Sequence, residues 1–217
     1  MGDVWNIKEQ YKRQMGNLWP TAVSARGLIG GGESGSYQAN IDYIEIQTTG
    51  NAADFGDLSA ARGSPAATSS STRCLFASGF ASLSNIIDFV TIKSTGNAAD
   101  FGDVTAARER ISGASNAVRG LTAGGATPSN SDVIDYHTMA SAGNSIDFGN
   151  LTDAQKNHGS GASPTRAFFG AGDTPSAAKN IDYVAIDTLG NAADFGDLSA
   201  VTGNMATISD AHGGLQN

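Results

Sequence analysis

Residues 41–58 have the sequence IDYIEIQTTGNAADFGDL, which returns with few changes at residues 87–104, 134–151 and 181–198. The copies are spaced by 46, 47 and 47 residues. Each keeps an Ile-Asp-aromatic triplet, a Gly-Asn pair and an Asp-Phe-Gly triplet at fixed distances. Self-similarity at a period of about 40–50 residues is typical of propeller blades and of helical arrays. The chain is therefore built from four copies of one structural unit.

The residues inside each unit favour short strands over helices. In Ile41–Ile46, apolar side chains occupy both alternating faces, which is typical of a strand covered on two sides. Thr49-Gly50-Asn51 contains residues that tolerate positive φ, and it predicts a hairpin turn into a strand at Ala53–Leu58. Upstream, Arg26–Gly32 predicts a strand that ends in glycines, and a weaker fourth strand is predicted in stretches such as Ala66–Thr72.

Four short strands per unit predict small sheets that pack radially as the blades of a β-propeller. The first unit begins at its second strand, whereas the residues from Ser209 onward align with Ser69–Leu75 of an inner copy. The expected fold is therefore all-β: a small four-bladed propeller over residues 22–217, closed when the C-terminal strand completes the first blade. Such closure would leave no exposed sheet edge.

The repeated segments resemble kelch-type repeats, and most closely the kelch-like repeat proteins of marine bacteriophage virions, especially those of phages that infect cyanobacteria. The resemblance covers residues 22–215 and is carried by Arg26–Gly32, Ile41–Tyr43 and Gly50–Leu58. One departure from cellular kelch repeats is that no tryptophan follows the tyrosine, because Phe55 takes the second aromatic position. The resemblance implies a kelch-like propeller associated with the virion.

Residues 1–21 lie outside the repeats and form a predicted N-terminal docking segment. Apolar side chains recur there every three or four residues, as in an amphipathic helix that Asp3 would cap and Pro20 would end. Because such a short helix is marginal in water, it needs a surface to cover its stripe. The helix would lie across its own propeller or, as we prefer, dock into a partner assembly. The predicted docking residues are Val4, Trp5, Ile7, Tyr11, Met15, Leu18 and Trp19.

Composition and charge argue against several classes of function. The 217 residues carry 13 basic and 21 acidic side chains, and a net charge of −8 would be repelled by a nucleic-acid backbone. Cys74 is the single cysteine, so the chain can form neither an internal disulfide nor a multi-cysteine metal site, and a buried inert thiol is expected. No apolar run approaches the roughly 18 residues of a membrane-spanning helix.

The remaining polar motifs predict structure rather than catalysis. The three histidines lack the spacing of a zinc site or of a nucleophile's base, and Gly30–Gly35 matches a nucleotide-binding pattern without a following helix. Catalysis needs an acid and a base in different environments, whereas the aspartates of the Ile-Asp-aromatic triplets occupy equivalent places. We expect no enzymatic activity, cofactor or metal, and we expect these aspartates to bind backbone N–H groups: Asp42, Asp88, Asp135 and Asp182.

The units differ most in the loops before the Ile-Asp-aromatic triplet, at residues 33–40, 80–86, 126–133 and 173–180. Variable loops on a repeated frame are where binding usually resides, and Tyr37, Phe80 and Lys179 are the expected ligand contacts. We predict a non-enzymatic structural or decoration protein of a bacteriophage, attached to tail or capsid proteins in a multi-copy virion and assembled in the host cytoplasm. The alternative is an adhesin that binds a host-surface glycan through the four loops.

Overall fold

The computed structural model describes residues 25–80, 83–174 and 176–209, which contain strands and turns and no helix. The first two repeats contribute β1 (Arg26–Gly30), β2 (Asn40–Glu45), β3 (Ala53–Asp57), β4 (Ala66–Ser69), β5 (Arg73–Ala77), β6 (Ile86–Thr91) and β7 (Ala99–Asp103). The third contributes β8 (Ser112–Ser115), β9 (Arg119–Ala123), β10 (Ala126–Thr127), β11 (Ser129–Asn130), β12 (Val133–Thr138) and β13 (Ile146–Asn150). The fourth contributes β14 (Gly159–Ala162), β15 (Arg166–Gly170), β16 (Ala178–Ala185) and β17 (Ala193–Thr202).

Each repeat forms one antiparallel sheet, as the sequence predicts. Sheet 1 has the strand order β1-β2-β3, sheet 2 has β4-β5-β6-β7, sheet 3 has β8-β9-β12-β13 and sheet 4 has β14-β15-β16-β17. The short β10–β11 hairpin lies within the variable loop of sheet 3. The four sheets share one register, since the arginine that opens the second strand faces equivalent residues in the third: Glu45, Thr91, Thr138 and Ala185.

The turn between the third and fourth strands of each unit lies earlier than predicted. Thr48 N donates to Glu45 O at 3.1 Å, so the hydrogen-bonded turn precedes the Gly-Asn pair. That pair instead joins neighbouring sheets: Gly96 N donates to Phe55 O at 2.7 Å. Asn97 Oδ1 also accepts a hydrogen bond from the backbone N of sheet 1 at Asp57. The Gly-Asn pair is therefore an element of the inter-sheet interface rather than the hairpin turn.

The hydrophobic core lies between consecutive sheets in three clusters of small, β-branched and aromatic side chains. Between sheets 1 and 2, Phe55 and Leu58 pack against Phe76 and Val90. The phenylalanines of the first three Asp-Phe-Gly triplets, Phe55, Phe101 and Phe148, are only 2–3% exposed. Each sheet is therefore stabilised mainly by burial against its neighbour.

An aspartate of the Ile-Asp-aromatic triplet crosses each of these interfaces. Asp88 accepts hydrogen bonds from the backbone N and the Oγ of Ser59, both at 2.9 Å. Asp182 accepts equivalent bonds from Thr152 N at 2.8 Å and from Thr152 Oγ1 at 2.6 Å. The expectation that these carboxylates bind backbone N–H groups is confirmed for both. The hydroxyl donors on the preceding sheet were not predicted.

Two of these aspartates also form buried ion pairs that the sequence did not predict, Arg62–Asp88 and Arg108–Asp135. Desolvation raises the pKa of Asp135 and lowers the pKa of Arg108, although the attraction between the two charges opposes both shifts. Gln155 takes the position of the arginine at the third interface. Its amide nitrogen and oxygen are buried and have no hydrogen-bond partner among the described residues. The arginine is therefore a variable part of an otherwise repeated contact.

The two ends of the array have no neighbouring sheet within the described residues. Phe195 of sheet 4 is 62% exposed, and on sheet 1 Ile29 and Ile46 are 59% and 63% exposed. Among the described residues, sheet 1 has three strands and lacks a fourth. The C-terminal residue Thr207 forms no strand pairing with sheet 1, and its Oγ1 bonds to Ser160 O in the first strand of sheet 4. Closure of the ring by the C-terminal strand is thus not present in the described part, and it stays a prediction.

The close approach of neighbouring sheets can be tested with Gly102→Ala. Gly102 has a φ of 142°, and a Cβ there would lie 2.5 Å from the carbonyl carbon of Gly143 on the next sheet. Gly96 has a φ of 151° and nothing within 4 Å of the same added atom. Chemical denaturation should show that Gly96→Ala lowers the free energy of unfolding by about 1–2 kcal/mol and Gly102→Ala by about 3 kcal/mol or more. Equal losses would contradict the close packing.

Candidate functional site

Four equivalent backbone positions converge on one cavity of about 270 Å³. Ser64, Arg110 and Asn157 stand just before the first strands of sheets 2, 3 and 4, which are β4, β8 and β14, and Asn204 stands at the equivalent C-terminal position. All four adopt the left-handed conformation, with φ between 48° and 58°, which is uncommon for residues other than glycine. The repeated frame therefore holds four different side chains in one backbone geometry around the same space.

Two of the predicted ligand residues, Tyr37 and Phe80, meet at Gly63, and Phe80 lines this cavity. The backbones of Phe80 and Gly63 exchange hydrogen bonds of 2.7 and 2.9 Å. The Tyr37 ring lies against Gly63, since a Cβ on that glycine would be 3.1 Å from Tyr37 Cδ1. The Arg110 guanidinium stacks on Phe80, 4.9 Å from the ring centroid. The cluster thus combines an aromatic face with a cation.

Lys179, the third predicted ligand residue, is not brought to this cluster. It lies on β16, where its Nζ forms a 2.7 Å ion pair with Asp197 Oδ2, and both side chains are about half exposed. Such exposed pairs contribute little to stability. The structure therefore brings together two of the three predicted contacts and leaves Lys179 on a separate part of sheet 4.

The polar residues around the cavity were missed by sequence reasoning. Arg110 and Asn204 stand at positions that recur every 46–47 residues but change identity from unit to unit. The same change of residue between units identified the variable loops, whereas Arg110 and Asn204 lie outside those loops, before the first strand of a sheet or at its C-terminal equivalent. Asn157 Nδ2 donates to Asp173 Oδ2 at 2.8 Å, which ties the cavity wall to the variable loop of sheet 4. Hydrogen-bond donors and an aromatic ring are groups suited to binding a polar ligand.

Both described histidines are buried and have strongly lowered pKa values. Burial lowers the pKa of His158, on the cavity wall, to about 4, with a smaller contribution from the charge of Arg108. Burial lowers the pKa of His137 to about 4, and its Nε2 lies 3.0 Å from Thr68 Oγ1. Both rings are therefore neutral at pH 7.

The titratable groups of the described ranges form no candidate metal centre. No group of three or more His, Cys, Asp or Glu side chains there is arranged to hold a metal ion. Cys74 lies buried in β5, and burial raises the pKa of its thiol to about 12, so the thiol stays protonated. This confirms the expected burial of Cys74. Within the same ranges, no helix has the length and apolarity that a bilayer crossing requires.

The predicted docking segment, residues 1–21, lies outside the described residues, and so do Val4, Trp5, Ile7, Tyr11, Met15, Leu18 and Trp19.

His137→Val tests the burial of the neutral imidazole, because valine stands at the equivalent positions 90 and 184. In the unfolded chain the imidazole of His137 binds a proton below about pH 6.5, whereas in the folded protein it does so only near pH 4. The stability that this group contributes is therefore present above pH 6.5 and lost as the pH falls towards 4. Unfolding measured from pH 7 to 4 should show that His137→Val loses up to about 3 kcal/mol less than the wild-type chain. Parallel pH profiles would contradict this assignment.

No protein-family model matches the chain, and no curated protein matches its sequence.

Proposed function

We propose that this chain is a non-enzymatic structural or decoration protein of a bacteriophage virion, fixed to tail or capsid proteins through residues 1–21. The observation that carries the proposal is the repeated frame itself: four sheets of one register joined by one repeated interface. Such a frame suits a mechanical role, because its stability comes from neighbour-to-neighbour packing that extends over the whole array. The resemblance of the repeats to kelch-like phage proteins supports the placement in a virion.

The finer architecture that we propose is a kelch-like β-propeller in which the four sheets are blades. Three features support it: the inter-sheet interfaces are equivalent, four left-handed positions converge on one cavity, and Thr207 stands beside β14. Residues 206–209 align with β4, β8 and β14, the innermost strands of sheets 2, 3 and 4. They would supply the innermost strand that sheet 1 lacks and so complete a first blade.

Removal of residues 1–21 tests the attachment. The shortened chain should remain folded, because the described sheets pack on one another, but it should be lost from purified phage particles. The measurement is the copy number per particle by quantitative mass spectrometry, with circular dichroism as the control for folding.

A milder set of variants separates the role of the apolar stripe from the effect of any substitution in the segment. Trp5→Ala with Trp19→Ala should lower incorporation, whereas Lys12→Ala should not. Full incorporation of the shortened chain would contradict the proposal.

A second function, binding of a host-surface glycan, is favoured by the cluster of Tyr37, Phe80 and Arg110. Aromatic faces with adjacent donors are the usual lining of sites that orient a polar ring-shaped ligand. The cavity of about 270 Å³ beside Phe80 offers room for part of such a ligand.

The glycan alternative is tested with Phe80→Ala and Arg110→Ala on glycan arrays and on host cells. Each variant should weaken binding at least about tenfold, because each removes one side of the stacked pair. Lys179→Ala is the matched control, since Lys179 lies away from the cavity, and it should bind like the wild-type chain. Absence of glycan and cell binding by the wild-type chain would contradict an adhesin.

A further inference from the structure

We propose that this chain assembles head to tail, with the exposed face of sheet 4 packed against the exposed face of sheet 1 of a second copy. The proposal rests on the blade architecture proposed above, but it replaces closure of the ring within one chain by pairing of residues 206–209 with sheet 1 of a second copy. It is independent of attachment to a virion. It follows from an interface that occurs three times within the described residues. Each end of the array carries one face of this interface without the partner face.

The apolar part of the repeated interface is present at both ends but uncovered. Val90, His137 and Val184 are 2–3% exposed where they face the preceding sheet, whereas Ile44 at the same position of sheet 1 is 37% exposed. On the opposite side, Phe195 is 62% exposed. The phenylalanines at its position in sheets 1, 2 and 3 are buried. The faces thus carry the two complementary halves of a contact that the fold already makes.

The backbone hydrogen bonds of the interface are also repeated and then missing. Between sheets 2 and 3, Gly143 N donates to Phe101 O and Ser145 N donates to Asp103 O, both at 2.7 Å. The two other internal interfaces make the same pair of bonds at 2.7–2.9 Å. No such bond involves the equivalent groups at the ends of the described array, which are Phe195 O and Asp197 O on sheet 4 and Gly50 N and Ala52 N on sheet 1.

The polar side chains of the interface complete the match. Asp88, Asp135 and Asp182 each accept a hydrogen bond from a serine or threonine hydroxyl of the preceding sheet. Sheet 4 carries Ser199 at that donor position, while no hydroxyl of the described residues reaches Asp42 on sheet 1. The chain therefore keeps a donor at one end and its acceptor at the other.

The C-terminal strand points to the same arrangement. Ser160 Oγ donates to Gly113 O at 2.7 Å, and Thr207 Oγ1 makes the equivalent bond to Ser160 O. Residues 206–209 are thus placed beside β14 as β14 is placed beside β8. Ile208 is nevertheless 92% exposed, because no described strand pairs with residues 206–209 on the side away from β14. In the assembly these residues pair with β1 of the second copy, with Ala206 opposite Gly30, as Ala66 is opposite Ala77.

The occupant is a second copy because, in the part of the chain that the structure describes, the two end faces do not meet each other. A Cβ on Gly102 would lie 2.5 Å from the next sheet, whereas a Cβ on its counterpart Gly196 would have nothing within 4 Å. Among the described residues, both end faces are therefore uncovered at once, after the three internal interfaces have set the angle between sheets. Two different faces that match each other give a head-to-tail contact, which propagates into a closed ring or a filament.

The test measures the mass of the full-length chain by sedimentation velocity and light scattering over a range of concentrations. The wild-type chain should form species at multiples of its 22.1 kDa. Phe195→Glu and Ile44→Glu should each remain at the mass of one chain, because a buried charge at the contact opposes assembly. Both positions are exposed within one chain, so circular dichroism and thermal unfolding should show an intact fold. Val118→Glu, at a 59% exposed turn residue of sheet 3, is the control and should assemble like the wild-type chain.

Mixing the two blocked variants tests the direction of the contact. The Phe195→Glu chain keeps an intact sheet 1 face, and the Ile44→Glu chain keeps an intact sheet 4 face. The mixture should therefore form a complex of two chains that grows no further. A wild-type chain that stays at 22.1 kDa at every concentration would overturn the proposal. So would a mixture that forms no complex, or a Val118→Glu chain that fails to assemble. Because no particle is involved, failure here is distinct from failure of virion attachment.

Discussion

The phenylalanine of each Asp-Phe-Gly triplet has no core within its own sheet and is buried only when the next sheet covers it. A sheet of three or four short strands is too thin to bury both of its faces, so each unit depends on its neighbours. This dependence explains why the residues that are the same in all four repeats lie at the interface between sheets. The Gly-Asn pair, the aspartate and the phenylalanine all contact an adjacent sheet. The sequence repeats because the contact repeats.

The polar part of the interface shows which groups the contact requires and which it tolerates. Hydroxyl and backbone donors bind the aspartate at the interface of sheets 3 and 4, where Gln155 replaces the arginine and its side-chain amide has no hydrogen-bond partner among the described residues. A buried carboxylate therefore needs the serine or threonine of the preceding sheet, while the guanidinium is an addition made at two interfaces. Burial of an ion pair carries a desolvation cost that attraction offsets only in part. Loss of the arginine in one unit is consistent with that balance.

Much of the frame could be predicted from sequence, and the reasons are visible in particular residues. Strands β2, β6, β12 and β16 follow from β-branched residues on both faces, and the burial of Cys74 follows from its place in a strand. The Gly-Asn pair was assigned to the hairpin because residues that tolerate positive φ suit a turn as well as they suit a close contact between sheets. Arg62 and Arg108 were missed because the third and fourth units carry Gln155 and Thr202 instead. Tyr37 and Phe80 were identified from loop variability, but their meeting at Gly63 depends on tertiary structure.

The left-handed quartet of Ser64, Arg110, Asn157 and Asn204 has a consequence for the evolution of the molecule. Serine, arginine and asparagine all occupy this geometry at no change in the path of the chain, which shows that the main chain there is imposed by the flanking strands. Substitution of these side chains would thus change the chemistry of the cavity mouth and leave the backbone of the fold unchanged. A lineage under changing selection could diversify what this mouth accepts, one codon at a time, while it inherits an unaltered architecture.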